Sequence, residues 1–183
     1  MQLVATNPDF RANERGFTLL EVIIAVSILS VVLFTVSQTM TLILLRSIHA
    51  MEIARAEDQG ARFVSSITLA TKTATAWGIY SDLEAYASGP ETNLAPQGNV
   101  LVCASAIETG PPLLYVFVYD PDSRTLKRFE NNLNTERMIL RNVSPAAGPL
   151  FDQNLGLVQG HWQMPVRNQL LTFSAYGTPP RMR

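Results

Sequence analysis

Cysteine and histidine are scarce in this sequence: one of the first, Cys103, and two of the second, His49 and His161, among 183 residues. A single thiol cannot close an intramolecular disulfide, and no cysteine or histidine cluster has the spacing of a zinc site. Charge of one sign is equally short. The 14 basic and 15 acidic residues leave a net charge of −1, so no broad field draws in nucleic acid, which is not expected as a partner. Catalytic signatures are missing too. There is no Gly-x-Ser-x-Gly elbow, no phosphate-binding glycine-rich loop and no His-Glu-x-x-His helix, and neither an enzyme nor a cofactor is expected. No metal site is expected either. Asp120-Pro121-Asp122 offers oxygens to calcium, but two carboxylates flanking a proline are turn formers first. Cys103 lies in the apolar run 100–104 and reads as a buried, inert thiol.

What is present is concentrated at one end. A polar segment, residues 1–16, carries Asp9, Arg11, Glu14 and Arg15, and Pro8 within it discourages a long helix. Residues 17–45 then contain one charge, Glu21, and no proline or glycine. A helix needs about 20 mainly apolar residues to cross a bilayer, so this block is predicted to span one. An ordinary secretory signal has an apolar core of only about 7 to 15 residues and fits poorly. Beyond Arg46, Ile53, Ala56, Gly60, Phe63, Ile67, Ala70, Ala74 and Trp77 recur at steps of three and four. That spacing predicts one apolar helix face, running to a terminator at Gly78. Uninterrupted from Phe17 to Trp77, the helix would reach roughly 90 Å, so its second half must lie outside a membrane and needs a cover.

The remainder supplies that cover. Residues 99–105, 113–120, 125–130, 137–143 and 169–175 are rich in β-branched and aromatic side chains and are predicted strands, with a tight turn at 121–124 joining a hairpin. Pro145 to Gly148 and Gly160 to Pro165 read as irregular connections, with Trp162 and Met164 in the core rather than at a subunit contact. The tail from Pro179 is expected to fray. The expected fold class is α+β, with one long N-terminal helix packed on an antiparallel sheet.

Arg15-Gly16-Phe17-Thr18-Leu19-Leu20-Glu21-Val22 resembles the class III signal of type IV pilins and type II secretion pseudopilins. The resemblance implies that a prepilin peptidase cuts between Gly16 and Phe17 and methylates the Phe17 amine. It also implies assembly with other pilin or pseudopilin subunits, in which Glu21 meets the N-terminal amine of a neighbour. The implied organisation is a cytoplasmic leader, 1–16; a transmembrane and filament-core helix, 17–45; and a periplasmic globular domain, 46–183, held in a bacterial inner membrane by a single pass. Charge counting does not choose the orientation, since Arg11 and Arg15 precede the span and Arg46 and Arg55 follow it.

Two features narrow the expectation to a minor subunit. No second cysteine is present to close the C-terminal disulfide loop of major type IVa pilins. The runs 115–119, 126–128 and 138–143 resemble the soluble domain of larger minor subunits, particularly the J-type pseudopilin and the W-type minor pilin. Many major pilins have a helix breaker within the apolar stretch; here Ser30 and Gln38 stand in that region. Two other classes remain. A single-span membrane-anchored periplasmic binding domain would use the helix only as an anchor. A secreted hydrolase would need the apolar block removed and a catalytic constellation that the sequence does not offer. Glu21 also has a plainer role open to it, since negative charge near a helix N-terminus is favoured by the helix dipole alone.

Overall fold

The computed structural model describes residues 17–89, 92–106 and 111–178. Gly16, the leader and the tail from Pro179 lie outside the described residues. The chain divides into two units, residues 1–48 and 49–183, with the helix α1, Leu19–Thr73, running from one into the other.

In the first unit every described residue is exposed, and the apolar side chains have no intramolecular cover. No proline or glycine in 17–45 breaks the helix, and its hydroxyls bond their own backbone. Ser27 Oγ donates to the Ile23 carbonyl at 2.8 Å, Ser30 to Val26 at 2.7 Å, and Thr39 to Thr35 at 2.9 Å. Polar side chains satisfied in this way require nothing from their surroundings. This stretch is long and apolar enough to cross a membrane.

In the second unit α1 buries Ala56, Gly60, Phe63, Ile67, Ala70 and Thr71. The steps of four and three give one face, as the spacing predicted. The helix stops earlier than expected. Its final turn closes with Ala74 N–H donating to the Ala70 carbonyl, after which Thr75 N–H turns to Ala104 at 2.7 Å. Ser105 Oγ donates to the Thr73 carbonyl. The chain continues as strand β1, Ala76–Tyr80. Trp77 and Gly78 are therefore strand residues, paired with Cys103 and Val102. Trp77 continued the helical spacing by coincidence, while the β-branched residues Thr71, Thr73 and Thr75 prefer extended backbone.

Two antiparallel sheets form, not the single sheet expected. The first has the order β1, β3 (Val100–Ser105), β4 (Leu113–Asp120), β5 (Thr125–Glu130) and β6 (Asn132–Arg141); the helix α2, Leu83–Ser88, and strand β2, Gln97–Gly98, lie between β1 and β3 in the chain. Strands β3, β4 and β5 match the predicted positions closely. At the β4–β5 turn the Asp120 carboxylate accepts from Asp122 N at 3.0 Å and from Ser123 Oγ at 2.6 Å. The pair of acids thus serves a turn. The bond from Ser123 holds the Asp120 carboxyl below its ordinary pKa.

The second sheet has the order β10 (Gln169–Gly177), β9 (Leu157–Val166), β8 (Phe151–Asn154) and β2, with β7 (Ser144–Pro145) also on β9. Here the irregular connection expected at Gly160 to Pro165 is overturned. Residues 157–166 form a strand in which Val158, Gly160, Trp162 and Met164 alternate inward. Gly160 makes room for the Phe151 ring, which a Cβ would meet at 3.2 Å. Pro165 falls where β9 is paired by β10 alone, opposite Leu170, so its missing donor is tolerated.

The core joins α1 to both sheets. Phe63 and Ile67 meet Leu101, Cys103 and Phe117 of the first sheet and Phe151, Val158 and Trp162 of the second in one buried cluster. The other face of the first sheet buries Tyr80, Val100, Val102, Val116 and Val118, with Tyr86 of α2 packed against them. Covered on both faces, β3 and β4 read as nearly continuous apolar runs rather than as alternating ones.

Candidate processing and assembly site

The site is built at the start of α1. Phe17 is 86% exposed and precedes the first helical residue by two positions. Thr18 and Glu21 close a reciprocal capping arrangement. Thr18 N and Thr18 Oγ1 both donate to Glu21 Oε2, at 2.9 and 3.0 Å, and Glu21 N donates to Thr18 Oγ1 at 3.3 Å. Two amides that the helix cannot bond internally are thereby satisfied. The Thr-x-x-Glu spacing at 18–21 is the sequence signal for this cap.

Glu21 is the only ionisable side chain in 17–45. Its Oε2 is taken by the first turn, and its backbone follows Phe17 by one helical turn. Gly16, on the other side of the expected cut, lies outside the described residues.

Elsewhere the polar side chains serve the fold. Among the described residues no group of three or more histidine, cysteine or acidic side chains is placed to hold a metal ion. His161 meets Ser174 Oγ at 2.9 Å and the Tyr176 ring edge-on. Arg128 donates to Ser66 Oγ at 2.9 Å and lies over the Tyr115 ring at 4.9 Å, tying β5 to α1. Arg167 grips Glu52 through two nitrogens, at 2.7 and 3.1 Å, and fixes the β9–β10 turn to the same helix. Burial pushes the Cys103 thiol up to about 12, as an inert buried thiol requires. Trp162 and Met164 are buried core residues.

Residues 11–37 match the family model described as the prokaryotic N-terminal methylation motif. The match covers 27 of the 183 residues, at the N-terminal end of the chain. The chain's long N-terminal helix packed against antiparallel sheets has the pilin-like α+β architecture, and pilin-like proteins are structural subunits, not enzymes. The motif implies processing by prepilin peptidase and assembly with pilins. With the apolar helix it points to inner-membrane anchoring or incorporation in a pilus. No curated protein and no solved structure matches the chain.

Proposed function

We propose that the chain is the precursor of a minor pilin or pseudopilin, which enters a bacterial inner membrane by α1 and then a pilus or a type II secretion pseudopilus, in its initiating tip complex. The observation that carries this reading is the methylation motif at residues 11–37 running into an uninterrupted apolar helix from Leu19. On this reading the leader, 1–16, is cytoplasmic and the peptidase cuts between Gly16 and Phe17, leaving 183 − 16 = 167 residues. Residues 17–45 are the membrane and filament-core segment, and 46–183 form the periplasmic domain. The runs that resemble J-type and W-type minor subunits fall on β4, β5 and β6, three neighbouring strands of one sheet, and support a minor subunit.

Glu21 carries the assembly role. Before the cut, the Phe17 nitrogen is an amide. The cut turns it into an amine, and methylation keeps its positive charge. A carboxylate in an apolar segment is costly without a partner, and the charged amine of a neighbouring subunit is a partner that fixes the axial register of two packed helices.

A second reading is favoured by one observation: Glu21 is bonded to Thr18 of its own helix, as a simple cap in a membrane-anchored binding domain would be. The test compares Glu21→Ala and the near-isosteric Glu21→Gln with the parent. If the carboxylate pairs with an amine of another subunit, both variants are inserted and cut normally while cross-linking to co-expressed minor subunits falls. Parental cross-linking at equal membrane level identifies an anchor.

A further inference from the structure

Sheet edges offer unpaired backbone groups to any extended chain, and soluble proteins blunt them. Three of the four edges here are blunted. Strand β2 is two residues long. At β1, the chain from Ala95 to Asn99 takes the free side, with Ala95 N–H donating to the Ile79 carbonyl at 2.9 Å and Asn99 N–H to Ser81 at 3.1 Å. Strand β6 carries Glu136, Arg137 and Arg141 and meets its neighbour with register shifts at Arg128, Phe129 and Glu130.

Strand β10 has none of these protections. Its nine residues contain no charge and no proline, and all nine keep an unbroken register with β9. Among the described residues its other side pairs with no strand. In an antiparallel pair alternate residues bond the neighbour, so the remaining donors and acceptors of β10 point away from β9. Alongside runs an open groove of about 620 Å³ between β10 and α1, lined by Ala61, Val64, Leu69, Lys72 and Phe173 among others. Gly177 packs against Thr71, which places Lys72 at the C-terminal end of β10.

We propose that the free edge of β10 is a strand-docking surface that takes an extended, mainly apolar segment of a second protein chain, bearing a carboxylate where it passes Lys72. The edge supplies backbone hydrogen bonds over about 30 Å, nine residues at about 3.3 Å each. The groove takes alternate apolar side chains. With no charge of its own, β10 offers no ion-pair partner along most of the length, and Lys72 favours one acid at one end. In an antiparallel partner that acid lies near the N-terminal end. The inference rests on the globular unit alone and stands apart from the reading of the N-terminal motif.

The test uses the full chain in detergent micelles and a synthetic probe: a fluorescent nonapeptide beginning with Glu and continuing with alternating Val and Thr. Two further probes carry N-methyl groups on alternate residues, in the two possible phases. Strand addition uses one edge of the peptide, so one methylated phase should bind like the parent probe. The other should bind at least about tenfold more weakly, because several backbone hydrogen bonds are lost. Replacing the probe's Glu by Lys should weaken binding about threefold, and alternate amides of β10 should gain protection from hydrogen exchange. Equal binding of the two methylated phases, or binding by none of the probes, overturns the proposal. So does self-association of the chain that protects the same amides without peptide.

Discussion

Gly60 on α1 lies so close to Phe173 on β10 that a Cβ at position 60 would fall 2.2 Å from the ring Cε1 and Cζ. The helix and the second sheet approach one another at this point because one residue has no side chain. Glycine inside a helix is unfavourable by about 0.8 to 1.0 kcal/mol relative to alanine, so an exposed helical glycine would improve on replacement. Here the sign reverses. Gly60→Ala is expected to destabilise the chain, and Gly60→Leu to do so by about 1 to 3 kcal/mol, the range for overpacking. Denaturant unfolding in micelles should show the loss, and Phe173→Leu should recover part of it in the double variant. Stabilisation by Gly60→Ala would contradict a close contact between Gly60 and Phe173.

The buried face of α1 makes a second expectation. A fragment beginning at Arg46 should fold by itself as a soluble α+β domain, since Phe63, at 1% exposure, and Ile67, at 0%, join both sheets in one core. Phe63→Asp or Ile67→Asp places an unpaired charge there and should cost several kcal/mol, about 4 or more. Circular dichroism melts of the fragment and both variants measure it. Variants that melt with the parent would put this face in solvent.

Cys103 gives a dependence on pH. Burial raises the thiol from 9.0 to about 12. Between those values the unfolded chain releases a proton that the folded chain keeps, so stability falls as pH rises from 9 toward 12. Cys103→Ala should abolish that alkaline component. At pH 8 the thiol should resist a disulfide reagent until denaturant exposes it, and rapid labelling of the native chain would contradict the burial.

The helix face and the β4–β5 hairpin were legible in sequence because local signals and tertiary packing agree there. Phe63 and Ile67 fall on a helical period, and Asp120 to Thr125 combines a proline, acids and flanking β-branched runs. The misreadings occur where one residue type answers to a tertiary need. Gly78 reads as a helix terminator, yet the switch to strand comes earlier, when Thr75 finds Ala104. Gly160 and Pro165 read as breakers, while in β9 one makes space for Phe151 and the other meets a partner on one side only. The second sheet was hidden because its central strand β9 carries Gly160 and Pro165, and because β2 joins it from far away in the chain, Gln97 pairing with Asp152. At the site, Glu21 stood out as the lone charge in an apolar block. Its bonds to Thr18 required only the spacing of the cap.

Processing of the N-terminus separates a pilin-type subunit from a plain membrane anchor. The proposed cut between Gly16 and Phe17 falls inside the methylation motif at residues 11–37. Intact-mass measurement of the protein from its native membrane reads both the cut and the methyl group at once. The expected mature chain has 183 − 16 = 167 residues, begins at Phe17 and carries one added methyl, and Gly16 replaced by a bulky residue should leave the leader in place. Native protein that still begins at Met1, or that has been cut after Leu45 and so has lost the span, would contradict this expectation.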